Sequence, residues 1–338
     1  TGKTYAIQAI LCELAKAGQN SVIVDYTNGF APSQLEPLLK ERLDPKQHLV
    51  RREPLPINPF RQQSAEFDGL VIDEDPANTA QRVVGVFGEV YTLGDQQKAA
   101  LHNVIRDGIA ANRAGFNLEA LIDGLAKLRD AGGPTGSSAA SVMARIQPFV
   151  DMKPFGKEDA DSWEALYGDA TSRCHVLQLA TFSRDVARLI TEFSLIDLYR
   201  YYRARGSKDA PRAIVLDEVQ VLDHRLDGPL GQLLTEGRKF GISLIMATQT
   251  LSAMDSDARD RLFQASHKLF FKPADTELVT FARVLSDATG EKREDWINRL
   301  SSLARGECYS LGPARNSKGQ LDMRRYYKVR IDALEQRY

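Results

Sequence analysis

The sequence is poor in cysteine and in long apolar runs, and its charges nearly cancel. Three cysteines, Cys12, Cys174 and Cys308, are spread over 338 residues with no CxxC pair, and the five histidines show no ligand spacing. These counts argue against a disulfide scaffold and a structural zinc site, and fit a reducing cytoplasm. No apolar stretch approaches the ~20 residues of a membrane helix, so no membrane partner is expected. Lys and Arg number 44 against 45 Asp and Glu. A chain this balanced can grip nucleic acid only through local patches or through a pore formed on assembly. There are no internal repeats and no low-complexity tract. Hydrophobic content of 43% and charged content of 26% are ordinary for a globular protein, and the length allows one large α/β domain or two smaller ones.

The pattern along the chain alternates between helix and strand. Ile7, Ile10, Leu11 and Leu14 share a helix face that stops at Gly18, and Ser21-Val22-Ile23-Val24-Asp25 reads as a buried strand ending in a carboxylate. Residues 54–60 are too rich in proline for helix or central strand. A mostly helical stretch follows, with Gly132 to Ser138 expected as a loop between helices. Strands are predicted at His175–Leu179, Ala213–Leu216, Ser243–Ala247 and Lys268–Phe271, and a late pair at Cys308–Leu311 and Tyr326–Ile331. Helix and strand in alternation imply a parallel sheet with crossover helices.

Three short motifs carry chemistry. Thr1-Gly2-Lys3-Thr4 runs straight into a helix. It reads as the second half of a GxxxxGK[ST] phosphate loop, in which backbone amides cradle phosphates, the lysine neutralises them and the hydroxyl holds Mg²⁺. The loop's first glycine and the strand before it would then lie upstream of Thr1. A bare GKT is a weak signal, and an ordinary helix start is the competing reading. The second motif is Arg212-Ala213-Ile214-Val215-Leu216-Asp217-Glu218, an apolar strand with two acids at its tip. Asp217 suits a Mg²⁺ water shell and Glu218 suits a general base. The third is Ala247-Thr248-Gln249, which ends another strand with a polar group placed to sense a γ-phosphate. Solvated acids at strand ends are common, but this trio in this order is not. Asp25 is read equally as a strand-end carboxylate or as a group beside the nucleotide.

The segments Ile214–Glu218, Glu236-Gly237-Arg238-Lys239-Phe240-Gly241-Ile242 and Ala247–Gln249, with Asp25 and Ile57-Asn58-Pro59-Phe60, resemble the HerA/FtsK superfamily of hexameric DNA pumps. The resemblance runs with gaps from Thr1 to about Ile331. A narrower likeness is to the ATPase component of phosphorothioation-dependent DNA restriction systems. The resemblance implies a RecA-like P-loop core, with residues 1–79 and 166–338 as its two parts and a helical insertion at 80–165. It implies ATP and Mg²⁺ held by Thr1, Gly2, Lys3, Thr4, Asp25 and Asp217, the metal by Thr4 and Asp217. It also implies Glu218 as base, Gln249 as sensor and Arg238 as an arginine finger reaching a neighbouring subunit. Without it, Arg238 reads as a cation near a helix end, and Arg259 and Arg261 stand in reserve. The implied partners are double-stranded DNA, further copies in a hexameric ring, and a nuclease or other restriction subunit. Two basic-aromatic clusters, Arg200–Arg205 and Arg324–Lys328 with Arg330, are candidate DNA contacts; cations at a helix end and alternation in a strand are the plainer readings. Two other functions fit the same motifs: an ATP-gated switch or scaffold, and a motor that moves protein.

Overall fold

A computed structural model describes residues 2–113, 115–156, 163, 173–252, 254–315, 318–322, 326–332 and 336. In chain order the elements are α1 (Gly2–Lys16), β1 (Ser21–Asp25), α2 (Pro37–Leu43), β2 (Lys46–Leu49), and the hairpin β3 (Ser64–Phe67) and β4 (Leu70–Asp73). Four helices follow, α3 (Pro76–Val90), α4 (Asp95–Ala111), α5 (Leu118–Asp130) and α6 (Gly133–Asp151). The second half holds β5 (Cys174–Gln178), α7 (Arg184–Arg205), β6 (Arg212–Leu216), α8 (Pro229–Glu236), β7 (Ile242–Met246), α9 (Ser256–Leu262) and β8 (Lys268–Phe271). The chain closes with α10 (Leu278–Thr289), α11 (Arg293–Ser301), β9 (Glu307–Leu311), β10 (Ala314–Arg315), β11 (Leu321–Asp322) and β12 (Tyr326–Arg330).

The main sheet has the order β2-β5-β1-β6-β7, and every pairing in it is parallel. All five residues of β1 and of β5 are buried, as expected of strands covered on both faces. Alternation along the strands assigns the two faces. Ile23, Val176 and Val215 pack against α1 and α2 through Ile7, Leu11 and Leu39. Val22, Val24, Leu177, Ile214 and Leu216 face the larger core built with α7 and the four-helix stretch. There Phe193 meets Phe87 and Phe155 edge-on at ring distances of 5.3 and 6.0 Å. Each such buried ring contributes about 1.5–3 kcal/mol of transfer free energy. A second, antiparallel sheet, β12-β9-β8, stands apart and wraps its own core around the fully buried Trp296. Cys12, Cys174 and Cys308 are all buried, and none of them forms a disulfide. Among the described residues no helix is long and apolar enough to cross a membrane.

Three local expectations change. Gly132 to Ser138 is no loop: α6 starts at Gly133, because Pro134 lies in the first turn, where its missing N–H costs nothing. The β3–β4 hairpin was not foreseen, although its Asp68-Gly69 turn (φ 50° and 79°) has the residue pair that a two-residue turn with positive φ demands. In the Arg200–Arg205 cluster Tyr201 and Tyr202 are 7% and 2% exposed, so both rings belong to the core and neither can stack on a base. Arg324 and Arg325 of the other cluster, the site candidate Thr1, and most of 157–172, where the helical insertion is expected to end, lie outside the described residues.

Candidate active site

The parallel register brings the predicted residues to one edge of the sheet. Val24 pairs with Leu216 and Leu216 with Met246, so Asp25, Asp217 and Ala247 follow side by side at three adjacent strand tips. The amide of Ala247 donates to Leu216 O and that of Val219 to Ala247 O, both at 2.9 Å, which extends the alignment one step past the strands. Glu218 turns the corner in the left-handed region (φ 56°, ψ 43°), a conformation that costs a non-glycine residue about 1 kcal/mol or more.

Lys3 reaches this edge from the first turn of α1. Its ammonium donates to Thr248 O at 2.9 Å. Burial pulls its pKa below the usual lysine value, while the nearby Glu218 and Asp217 carboxylates push the other way. Asp217 is 7% exposed. Its pKa is raised, by burial first and then by the Glu218 charge, with Asp25 adding to the rise and Lys3 and the Glu218 amide opposing it. Two carboxylates, Asp217 and Glu218, thus flank one ammonium next to the positive end of a fifteen-residue helix, with the Asp25 charge acting on Asp217. Thr4 lies beside Gly29, its methyl 3.5 Å from where a side chain on that glycine would begin.

Glu218 is held by amides on both sides. Gln249 donates to Oε1 and Gln220 to Oε2. Thr248 Oγ1 in turn donates to Gln220 Oε1 at 2.8 Å. Gln220 was not singled out from sequence, and Thr248 only as part of the Ala247–Gln249 motif. The only available cue was that both are polar and flank the predicted groups. Asp25 is fully buried, and its carboxylate accepts from the amides of Thr27, Gly29 and Phe30 at 3.1, 3.1 and 2.9 Å and from Gln178 Nε2 at 3.1 Å. Its oxygens shape the 26–30 turn, and that turn places Gly29 against Thr4.

Arg238 is not part of this gathering. It sits in the 237–240 turn that precedes β7, at the opposite end of the sheet from Gln249, about 17 Å of strand away for five residues. It is exposed, and its side chain has no partner among the described residues. Arg259 and Arg261 lie on α9, past the loop that follows Gln249.

The lysine on a helix start, the aspartate at the tip of a parallel strand and the adjoining glutamate and glutamine gather at one edge of a parallel sheet flanked by helices, the fold of RecA-like P-loop ATPases. No family model matches the chain. It is similar to the DNA double-strand break repair helicase HerA of Sulfolobus acidocaldarius, 22% identical over 330 residues, 92% of this chain and 60% of that protein. It is also similar to the HerA of Sulfurisphaera tokodaii, at 21% identity and the same coverage. The chain therefore spans 60% of the length of the curated relatives it matches. Among solved structures it resembles VirB4 of Thermoanaerobacter pseudethanolicus, with a TM-score of 0.70 and 15% identity over 99% of this chain and 87% of that one. It further resembles the bacterial conjugative coupling protein TrwB, with a TM-score of 0.64 and 13% identity over 98% and 83% of the two chains. A TrwB structure in complex with ADP and Mg²⁺ matches with a TM-score of 0.54 and 12% identity over 92% and 84%. These comparisons bear out the HerA/FtsK-type P-loop ATPase resemblance that the motifs carry.

Proposed function

We propose that this chain is the ATP-hydrolysing core of a ring-forming motor that moves along double-stranded DNA. The observation that carries the reading is the meeting of Lys3 with Asp217, Glu218 and Gln249 at one sheet edge. Lys3 would neutralise the terminal phosphates, and Glu218, freed from its amide partners, would take a proton from the attacking water. Gln249 bonds that base directly and would report on the γ-phosphate. Asp217 and Glu218 beside the Lys3 ammonium, with the Asp25 charge acting on Asp217, form an electrostatic arrangement that a divalent cation relieves. Thr4 and Asp217 are the residues that would hold Mg²⁺, together with phosphate oxygens. The metal supplies charge neutralisation of the leaving phosphates.

Arg238, too far from Glu218 to serve its own subunit, would serve the next one round a closed ring. The names of the HerA relatives favour DNA over protein as cargo, and a place in a restriction system remains the narrower form of the proposal. The chain's division at 80 and 165 belongs to the same reading. So does an apolar slot of ≈ 530 Å³ between β7 and β8, lined by Leu244, Met246, Leu269 and Phe271 with Lys3 at one end. Among the described residues β7 pairs with β6 alone, and its other edge borders this slot.

The test is ATP turnover by the full-length protein with and without duplex DNA, beside Lys3→Ala and Glu218→Gln. DNA-stimulated turnover that both variants lose is the expected result. Turnover indifferent to DNA favours a protein cargo. A second reading, an ATP-gated scaffold, draws on the double amide capping of Glu218; ATP-dependent assembly without turnover would select it.

A further inference from the structure

Glu192 is a buried carboxylate at the border of the larger core. It lies on α7 between Ile190 and Phe193 and is 1% exposed. Burying a carboxylate costs several kcal/mol, and a leucine there would be cheaper. What the glutamate does is reach across to the turn after β6, where its Oε1 accepts from the Asp223 amide at 2.6 Å. That turn carries Glu218 at its start and Gln220 within it. Its first anchor is the strand bond from Val219 to Ala247, and between the anchors the Val221 amide donates to Glu218 O at 3.1 Å and that of Leu222 to Val219 O at 3.2 Å. The far anchor is Glu192. Beside it opens a polar cavity of ≈ 380 Å³, bordered by Arg188, Gln220, Asp223, His224 and Arg261, which gives water a route to the turn.

We propose that Glu192 is a positioning residue for the proposed base: its carboxylate clamps the Asp223 amide, fixes the 218–223 turn, and so aims Glu218 and Gln220 at the nucleotide without touching it. This rests on Glu218 acting as the base. The clamp has a built-in pH response. Burial pushes the Glu192 carboxyl up to about 7, against the opposing pull of the Asp223 amide and of Arg188. The charged groups facing it are Arg188 on its own helix, 3.8 Å away, Asp223 and Arg225 on the turn, and Glu89 of α3, which reaches Arg188 and Arg225. The Tyr26 hydroxyl, just past the end of β1, completes the set. A bond to the ionised carboxylate is roughly twice as strong as one to the neutral acid. The grip therefore tightens as pH rises through about 7.

The test uses the full-length protein. Glu192→Ala is expected to lower kcat about 10- to 100-fold and to leave KM for ATP within about threefold. Glu192→Gln keeps an acceptor for the Asp223 amide. It is expected to restore most of kcat and to abolish the inflection near pH 7 that the wild type shows. Amide exchange should speed up across 219–223 in the alanine variant, return in the glutamine variant, and stay unchanged in β6. Wild-type kcat in Glu192→Ala, or an inflection that persists in Glu192→Gln, overturns the proposal. If the alanine variant does not fold, the pH profile of the glutamine variant decides alone. A wild type without turnover overturns the ATPase reading instead, and the exchange rates still report whether Glu192 holds the turn.

Discussion

The two ends of the parallel sheet differ in how well their groups are satisfied. At the carboxyl tips the groups are in tension: Lys3 is held below its usual pKa, Asp217 and Glu192 above theirs, and Glu218 occupies a left-handed backbone conformation. At the amino end the chain is close-packed. Gly206 and Gly241 let the α7 exit and the β7 entry touch; a side chain on Gly241 would come within 2.0 Å of Ser207 O, and one on Gly206 within 2.1 Å of Phe240 O. Tyr199 donates to Glu236 at 2.6 Å beneath the same corner. One edge carries the strained and charged groups, and the other is tightly packed. Arg238, exposed on the packed side with no side-chain partner among the described residues, is an exception to that packing.

The largest effect tests that exception. Arg238→Ala should cut turnover by about 10³-fold or more while nucleotide binding and melting temperature hold; lost binding would place this arginine in some other role. Next, Glu218→Gln should lower kcat by about 10²- to 10⁴-fold with ATP still bound, measured by single-turnover hydrolysis and nucleotide titration. At the packed end Gly241→Ala should cost about 2 kcal/mol or more in denaturant unfolding, because its φ of 75° and the Ser207 carbonyl both exclude a methyl group. The smallest effect has the opposite sign. Asp217→Asn should raise stability at pH 8, since a carboxyl whose folded pKa lies above its unfolded value weakens the fold as pH rises past that unfolded value, 3.8. The gain should vanish at more acid pH. Equal stability of the asparagine variant at all pH values would end the contrast between the two edges.

Much of the parallel sheet was legible because its buried strands are near-continuous apolar runs, and two of the three chemical motifs terminate such strands. A parallel register brings such termini together without further information. What sequence could not give was the use of each polar atom. Asp25 reads the same whether it faces a nucleotide or three backbone amides, and only the 26–30 turn decides. Gln220 and Glu192 gain meaning from contacts 2 and 31 residues away in the chain, to Glu218 and Asp223. The Asp68-Gly69 hairpin, by contrast, was written in the sequence and overlooked. The Gly132–Ser138 run misled because glycine and serine suit a helix start as well as a loop.

The strand order also governs how this polypeptide comes into being. β1 lies between β5 and β6, so its partners begin at Cys174 and Arg212. On a ribosome adding about 5–20 residues per second, β1 waits many seconds, its apolar residues uncovered, for the first neighbour to emerge. The helices from Pro76 to Asp151 need no such wait, since their contacts are largely with one another. Assembly should therefore begin with that helical stretch, and the sheet should close late and slowly, as non-local pairing does.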